Sequence, residues 1–192
     1  MAENTITDKN KLIVIGGSAG SLQVLLFILS KLKTDLQIPI IIILHRKNDS
    51  ESGLSQLMAL RTSLPVKEAD DKEQINPGTV YLAPSNYHLL VEYNGCFSLD
   101  ASEKINFSRP SIDVTFQTAA DAYASGVTGI LLSGANADGV EGLRLIQKMK
   151  GTIIVQDPAS AQVPFMPQAA LDELSVDHVL KIEEIATYIN SL

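Results

Sequence analysis

The 192-residue chain has a single cysteine, Cys96, so no intrachain disulfide forms, which fits a reducing cytoplasm. Its longest apolar run, Ile38 to Leu44, is broken by Pro39 and is far too short to span a bilayer. The N-terminus, Met1 to Asn10, is polar and has no apolar signal-like core, which predicts a flexible tail and no membrane insertion. Basic residues do not cluster beyond Lys148 to Lys150, and the net charge is −7. That balance disfavours nucleic acid, an anionic membrane and strongly acidic substrates as partners. Three scattered histidines and one cysteine offer no spacing such as H-x-x-x-H or C-x-x-C, so no metal site is expected. A Gly-Lys-Ser/Thr triplet is missing. A dinucleotide fingerprint fails as well, because positions 18 and 21 are serines and no acidic residue ends the second strand. No cofactor is expected.

What is present describes a well-filled core: 45% of residues are hydrophobic, 19% are charged, and the mean hydropathy is +0.14. Strand-like runs alternate with helical periodicity along the whole chain, which predicts one α/β domain over residues 1–192. The expected form is a three-layer α/β/α sandwich around a mainly parallel, doubly wound sheet. Strand Leu12 to Ile15 is followed by a helix over about Ser21 to Lys31 and by strand Ile38 to Leu44, whose isoleucines predict burial on both faces. A helix over about Ser52 to Arg61 precedes four short segments, Pro65 to Ala69, Gly78 to Ala83, His88 to Tyr93 and Cys96 to Leu99. These read as an antiparallel insertion, with Asn94-Gly95 as a two-residue hairpin signal. Helix Ser111 to Ala124, strand Thr128 to Leu132, helix Val140 to Lys150 and strand Thr152 to Val155 come next. Helices near Pro167 to Leu174 and Ile182 to Leu192 close the chain.

The first strand runs into Gly16-Gly-Ser-Ala-Gly20, a serine on a strand-to-helix turn. Such a turn pushes the hydroxyl out at the sheet edge beside the free N–H groups of the following helix. Ligands of parallel sheets bind outside the carboxyl ends of the strands, and three polar residues fall there. Ser18 follows the first strand, His45 follows the second, and Asp138 lies in the loop Ser133-Gly-Ala-Asn-Ala-Asp-Gly139. A hydroxyl, an imidazole and a carboxylate at one edge are the parts of a nucleophile, a base and a group that orients the base. Each also has an ordinary structural role open to it, as turn serine, strand-end histidine or helix cap. His88, in the insertion, is either structural or substrate-facing, and His178 is a weaker candidate.

Read in order, Ile15-Gly-Gly-Ser-Ala-Gly20, Leu44-His45, Pro77-Gly-Thr-Val-Tyr-Leu-Ala-Pro84 with His88, Arg109-Pro-Ser-Ile-Asp-Val114, Gly134-Ala-Asn-Ala-Asp-Gly139, and Gln156-Asp-Pro-Ala-Ser160 with Met166-Pro-Gln-Ala-Ala170 resemble the catalytic domain of the chemotaxis protein-glutamate methylesterases (CheB type). The resemblance spans about Lys11 to Ile189. It implies a cytoplasmic serine esterase that removes methyl groups from γ-glutamyl esters on the cytoplasmic domain of chemoreceptors, releases methanol, and in some members deamidates receptor glutamines. Carried over by position, it implies Ser18 as nucleophile, His45 as base and Asp138 as orienter, with oxyanion donors at the backbone N–H of Ala19 and Ala135. Departures from the family pattern are Ala19, Gly20 and Ser21 after the nucleophile, Ala135 and Asn136 before Asp138, and Arg46, Lys47 and Phe165 at the cleft rim. Arg46, His88, Phe165 and Met166 are the expected cleft residues. Full-length members usually carry an N-terminal receiver domain, for which about ten residues leave no room, so an unregulated active state or a regulator acting in trans is expected. A catalytically silent receptor-binding module, and an esterase or amidase for another substrate, are the competing readings.

Overall fold

A computed structural model describes residues 11–46 and 53–192. The N-terminal tail and Lys47 lie outside the described residues.

The main sheet has seven strands: β1 (Leu12–Gly17), β2 (Ile40–Leu44), β3 (Val66–Glu68), β4 (Val80–Leu82), β7 (Val127–Leu131), β8 (Thr152–Gln156) and β9 (His178–Leu180). Their spatial order is β3-β4-β2-β1-β7-β8-β9, and every pairing is parallel. From β1 the chain builds outward through β2 to the β3 edge and then returns to lay β7 on the other side of β1. The order therefore switches between β1 and β7, where a crevice opens at the strand ends.

Side-chain alternation sorts the core into two layers. Leu12, Val14, Ile41, Ile43, Ile153 and Val155 pack toward α3 (Ile112–Tyr123), α4 (Val140–Lys148) and α5 (Phe165–Glu173). Ile13, Ile15, Ile40, Ile42, Ile130 and Ile154 pack toward α1 (Ser21–Lys31), α2 (Leu54–Ala59) and α6 (Ile182–Ser191). β2 is buried at all five positions, as its unbroken isoleucines require. It begins at Ile40 because Pro39 has no N–H to pair.

Two expectations change. Of the four short segments, only β5 (His88–Val91) and β6 (Phe97–Asp100) form an antiparallel hairpin; Pro65 to Ala69 and Gly78 to Ala83 supply β3 and β4 of the parallel sheet. Turn residues mark where a strand ends, but not the direction in which it pairs. The hairpin turn itself is three residues long, Tyr93 to Gly95, between Glu92 and Cys96, whose N–H and carbonyl bond at 2.9 Å. Only Gly95 has a positive φ, of 77°, whereas the two-residue turn needs it at both positions. The edge strand β9, with His178 on it, escaped the sequence reading because it is three residues long and largely exposed.

Candidate active site

Ser18 emerges half-buried from the end of β1, and His45 from the end of β2. The two strands run in register up to the Gly17–Leu44 pair, and His45 N–H donates to the Gly17 carbonyl at 3.1 Å. Ser18 and His45 are thus the next positions along adjacent strands. Gly20, at φ 81°, turns the chain sharply into α1, a conformation that side-chain-bearing residues adopt at a cost. The Ser21 hydroxyl donates to the Ser18 carbonyl at 2.7 Å, which fixes the turn.

The loop after β7 is tied to this turn by Ser133, a residue the sequence reading passed over. Ser18 N–H donates to the Ser133 carbonyl at 2.9 Å, and the Ser133 hydroxyl donates to the Ala19 carbonyl at 2.7 Å. That hydroxyl also accepts from Val163 N–H at 2.9 Å, so one buried serine joins the loops after β1, β7 and β8. Ala19 and Ala135 are both exposed, and among the described residues neither backbone N–H donates a hydrogen bond. Two unused donors stand on adjoining loops beside Ser18.

His45 and Asp138 meet directly. The carboxylate is fully buried and accepts His45 Nε2–H at 2.7 Å on Oδ2. It also accepts Ile112 N–H at 2.7 Å, Asp113 N–H at 3.1 Å and the Ser111 hydroxyl at 2.9 Å. These are the first free donors of α3, whose positive end faces the carboxylate. Burial opposes the charge, but the His45 bond and the Ile112 and Asp113 amides outweigh it and hold the Asp138 pKa below the usual carboxylate range. An ionised Asp138 only accepts, so the imidazole carries its proton on Nε2 and leaves Nδ1 as the basic nitrogen.

The structure does not join Ser18 to that nitrogen. Nδ1 lies 3.3 Å from Ser108 Oγ, and among the described residues the Ser18 hydroxyl makes no hydrogen bond. Ser108, from the loop before α3, is a second residue that sequence reasoning missed. It carries no motif signal of its own.

Of the expected cleft residues, Arg46 lines a cavity of about 360 Å³ against His45, together with Lys104, Ser108 and Arg109. Phe165 is exposed but borders a separate hollow with Gln168 and Asp172. Met166 is core, packed against Gly134. His88 is 1% exposed, and both of its ring nitrogens face backbone. Nδ1 accepts Ser111 N–H at 3.1 Å, and Nε2–H donates to the Glu103 carbonyl at 2.9 Å. It braces the start of α3 from inside and does not face the cleft. Among the described residues no group of three or more His, Cys, Asp or Glu is arranged to hold a metal, and no helix is long and apolar enough to cross a membrane.

Comparisons with known proteins place the chain in a family. A family model described as CheB methylesterase matches residues 13–189. A Leptospira interrogans protein with the provisional name protein-glutamate methylesterase/protein-glutamine glutaminase is 44% identical over 174 residues, 91% of this chain and 90% of its own. The Thermotoga maritima protein-glutamate methylesterase/protein-glutamine glutaminase is 35% identical over 91% of this chain and 52% of its own length. The crystal structure of the Thermotoga maritima CheB methylesterase catalytic domain superposes with a TM-score of 0.90 at 34% identity, covering 94% of this chain and 97% of that one.

Proposed function

Because the chain belongs to the CheB methylesterase family of carboxylic ester hydrolases, we propose that Ser18, His45 and Asp138 perform its ester hydrolysis as nucleophile, base and orienter. The observation that carries this reading is the buried His45–Asp138 hydrogen bond, which leaves Nδ1 basic at the edge where Ser18 emerges. In catalysis the Ser18 hydroxyl takes the place beside Nδ1 that Ser108 holds here. His45 accepts the Ser18 proton as Oγ attacks the ester carbonyl carbon. The oxyanion is stabilised by the N–H groups of Ala19 and Ala135. Methanol leaves with the proton returned by His45. A water deprotonated by the same ring then cleaves the acyl-serine, freeing a glutamate carboxylate and restoring Ser18.

The substrate is a γ-glutamyl methyl ester on the cytoplasmic domain of a chemoreceptor, and the same steps with ammonia as leaving group deamidate a receptor glutamine. The double names of the relatives support both activities, and the unpaired Cys96 fits a cytoplasmic setting. A regulatory protein acting in trans on the cleft belongs to the same reading. The test is methanol release from methylated receptors of the same cell by wild type and Ser18→Ala. Release that depends on Ser18 supports the assignment; release that persists in the variant overturns it.

A further inference from the structure

The chain has 22 acidic and 15 basic residues, yet among the described residues the cavity beside His45 is lined by Arg46, Lys104 and Arg109 and by no carboxylate. The local sign is thus opposite to the net charge that argued against acidic substrates. Ester hydrolysis does not call for these cations. The ester is neutral, and the oxyanion has backbone donors of its own at Ala19 and Ala135.

The two arginines are anchored, each through a single nitrogen. Arg46 Nη2 donates to Glu68 Oε1 at 2.5 Å and to the Ala83 carbonyl at 3.4 Å. Arg109 Nη1 donates to the carbonyls of Ala101 and Ser102 at 2.7 and 2.6 Å. In both, the buried Nε has no partner among the described residues. Each guanidinium is thus held by one terminal nitrogen, and its other terminal nitrogen makes no hydrogen bond among the described residues, which leaves a donor for a carboxylate. Glu68 offsets one of the three charges, which leaves the lining net positive among the described residues.

We propose that Arg46, together with Lys104 and Arg109, is a specificity determinant that binds a second carboxylate side chain of the protein substrate, next to the esterified glutamate in the chain or one helical turn away. This rests on the methylesterase reading above. An acidic neighbour docks on the guanidinium edge and brings the ester to Ser18, whereas a neutral neighbour leaves those donors unfilled.

The test uses two synthetic peptides carrying the same γ-glutamyl methyl ester, one with Glu and one with Gln as neighbour, and reads methanol release. Wild type is expected to prefer the Glu peptide by about tenfold in kcat/KM, the effect of one charge-assisted hydrogen bond. Arg46→Ala should collapse that ratio, and Arg46→Glu should shift preference toward a Lys neighbour. Added salt should erode the wild-type ratio, which a merely structural role would not do. Because the ester is common to both peptides, any disturbance of the adjacent His45 cancels in the ratio. An equal ratio in wild type and Arg46→Ala, or no preference in wild type, overturns the inference and leaves the methylesterase reading standing. If wild type releases methanol from neither peptide, the methylesterase reading falls and this inference with it.

Discussion

Asp138, in the loop that enters α4, accepts the free N–H groups at the start of α3, while Asp113, in the first turn of α3, accepts the N–H groups of Gly139 and Gly142 at the start of α4, at 2.9 and 2.8 Å. Each carboxyl caps the other's helix. The Asn106 side chain spans both, at 3.2 Å from Asp113 and 3.5 Å from Asp138. The exchange brings two buried acids together, and their environments separate them. Asp138 stays ionised on its His45 bond and amide donors, whereas burial, aided by the Asp138 charge and opposed by the Gly142 amide, pushes the Asp113 pKa up to about 7. The carboxylate that orients His45 is thus built into the joint that positions α3 and α4.

Replacing the proposed nucleophile and Ser108 in turn separates the two serines at this edge. Ser18→Ala should lower turnover by roughly 10⁴-fold or more. Ser108→Ala should retain most activity, because it removes only a competing partner of Nδ1. Methanol release by both variants, with circular dichroism to confirm folding, checks this; the reverse order of effects would move the nucleophile to Ser108.

Asp138 carries two duties that different substitutions divide. Asp138→Asn keeps the shape but disturbs the imidazole tautomer, and turnover should fall about 10⁴-fold. Asp138→Ala also strands the Ser111, Ile112 and Asp113 donors and should cost roughly 3–5 kcal/mol of stability. Urea denaturation of both variants beside their turnover tests the division. Equal stability of Asp138→Ala and wild type would contradict the capping role.

The raised Asp113 pKa makes stability depend on pH with a definite sign. Between its unfolded value near 3.9 and the folded value of about 7, the folded chain holds the proton that the unfolded chain releases. The stability contributed by protonated Asp113 is therefore full below about 4 and is lost as pH rises through about 7. Asp113→Asn, which keeps an oxygen acceptor for Gly139 and Gly142, should gain stability relative to wild type on going from pH 5 to pH 8. Denaturation midpoints at the two pH values measure it, and a pH-independent difference would refute it.

Gly20→Ala puts a side chain at φ 81°, where its Cβ would meet Gln162 Cβ at 2.7 Å and Ser133 Oγ at 2.9 Å. The left-handed conformation alone costs roughly 1–2 kcal/mol. The variant should therefore lose at least that much stability and also turnover, since Ser133 ties the Ala19 turn to the β7 loop. Unchanged denaturation and kinetics would show that the turn tolerates a Cβ.

Local rules were sufficient for a large part of this protein. The alternation of apolar strands with helical stripes marked β1, α1, β2, α3, β7, α4 and β8 to within a few residues, because each buries a face whose period is written in consecutive side chains. Glycines and strand ends point to Ser18, His45 and Asp138, the residues of the proposed site, for the same reason: a sharp turn and the end of a buried strand are properties of neighbouring residues. The parallel pairing of β3 and β4 was not legible, because strand direction is settled by partners far along the chain. Nor was the bracing of Asp138 by Ser111, Ile112 and Asp113, the burial of His88 behind it, or the approach of Ser108 to Nδ1, all of them contacts across 23 to 63 positions of sequence. The sign of the cleft was hidden for the same reason. Net charge adds every residue equally, whereas the fold brings Arg46, Lys104 and Arg109 to one cavity whose lining, among the described residues, has no carboxylate.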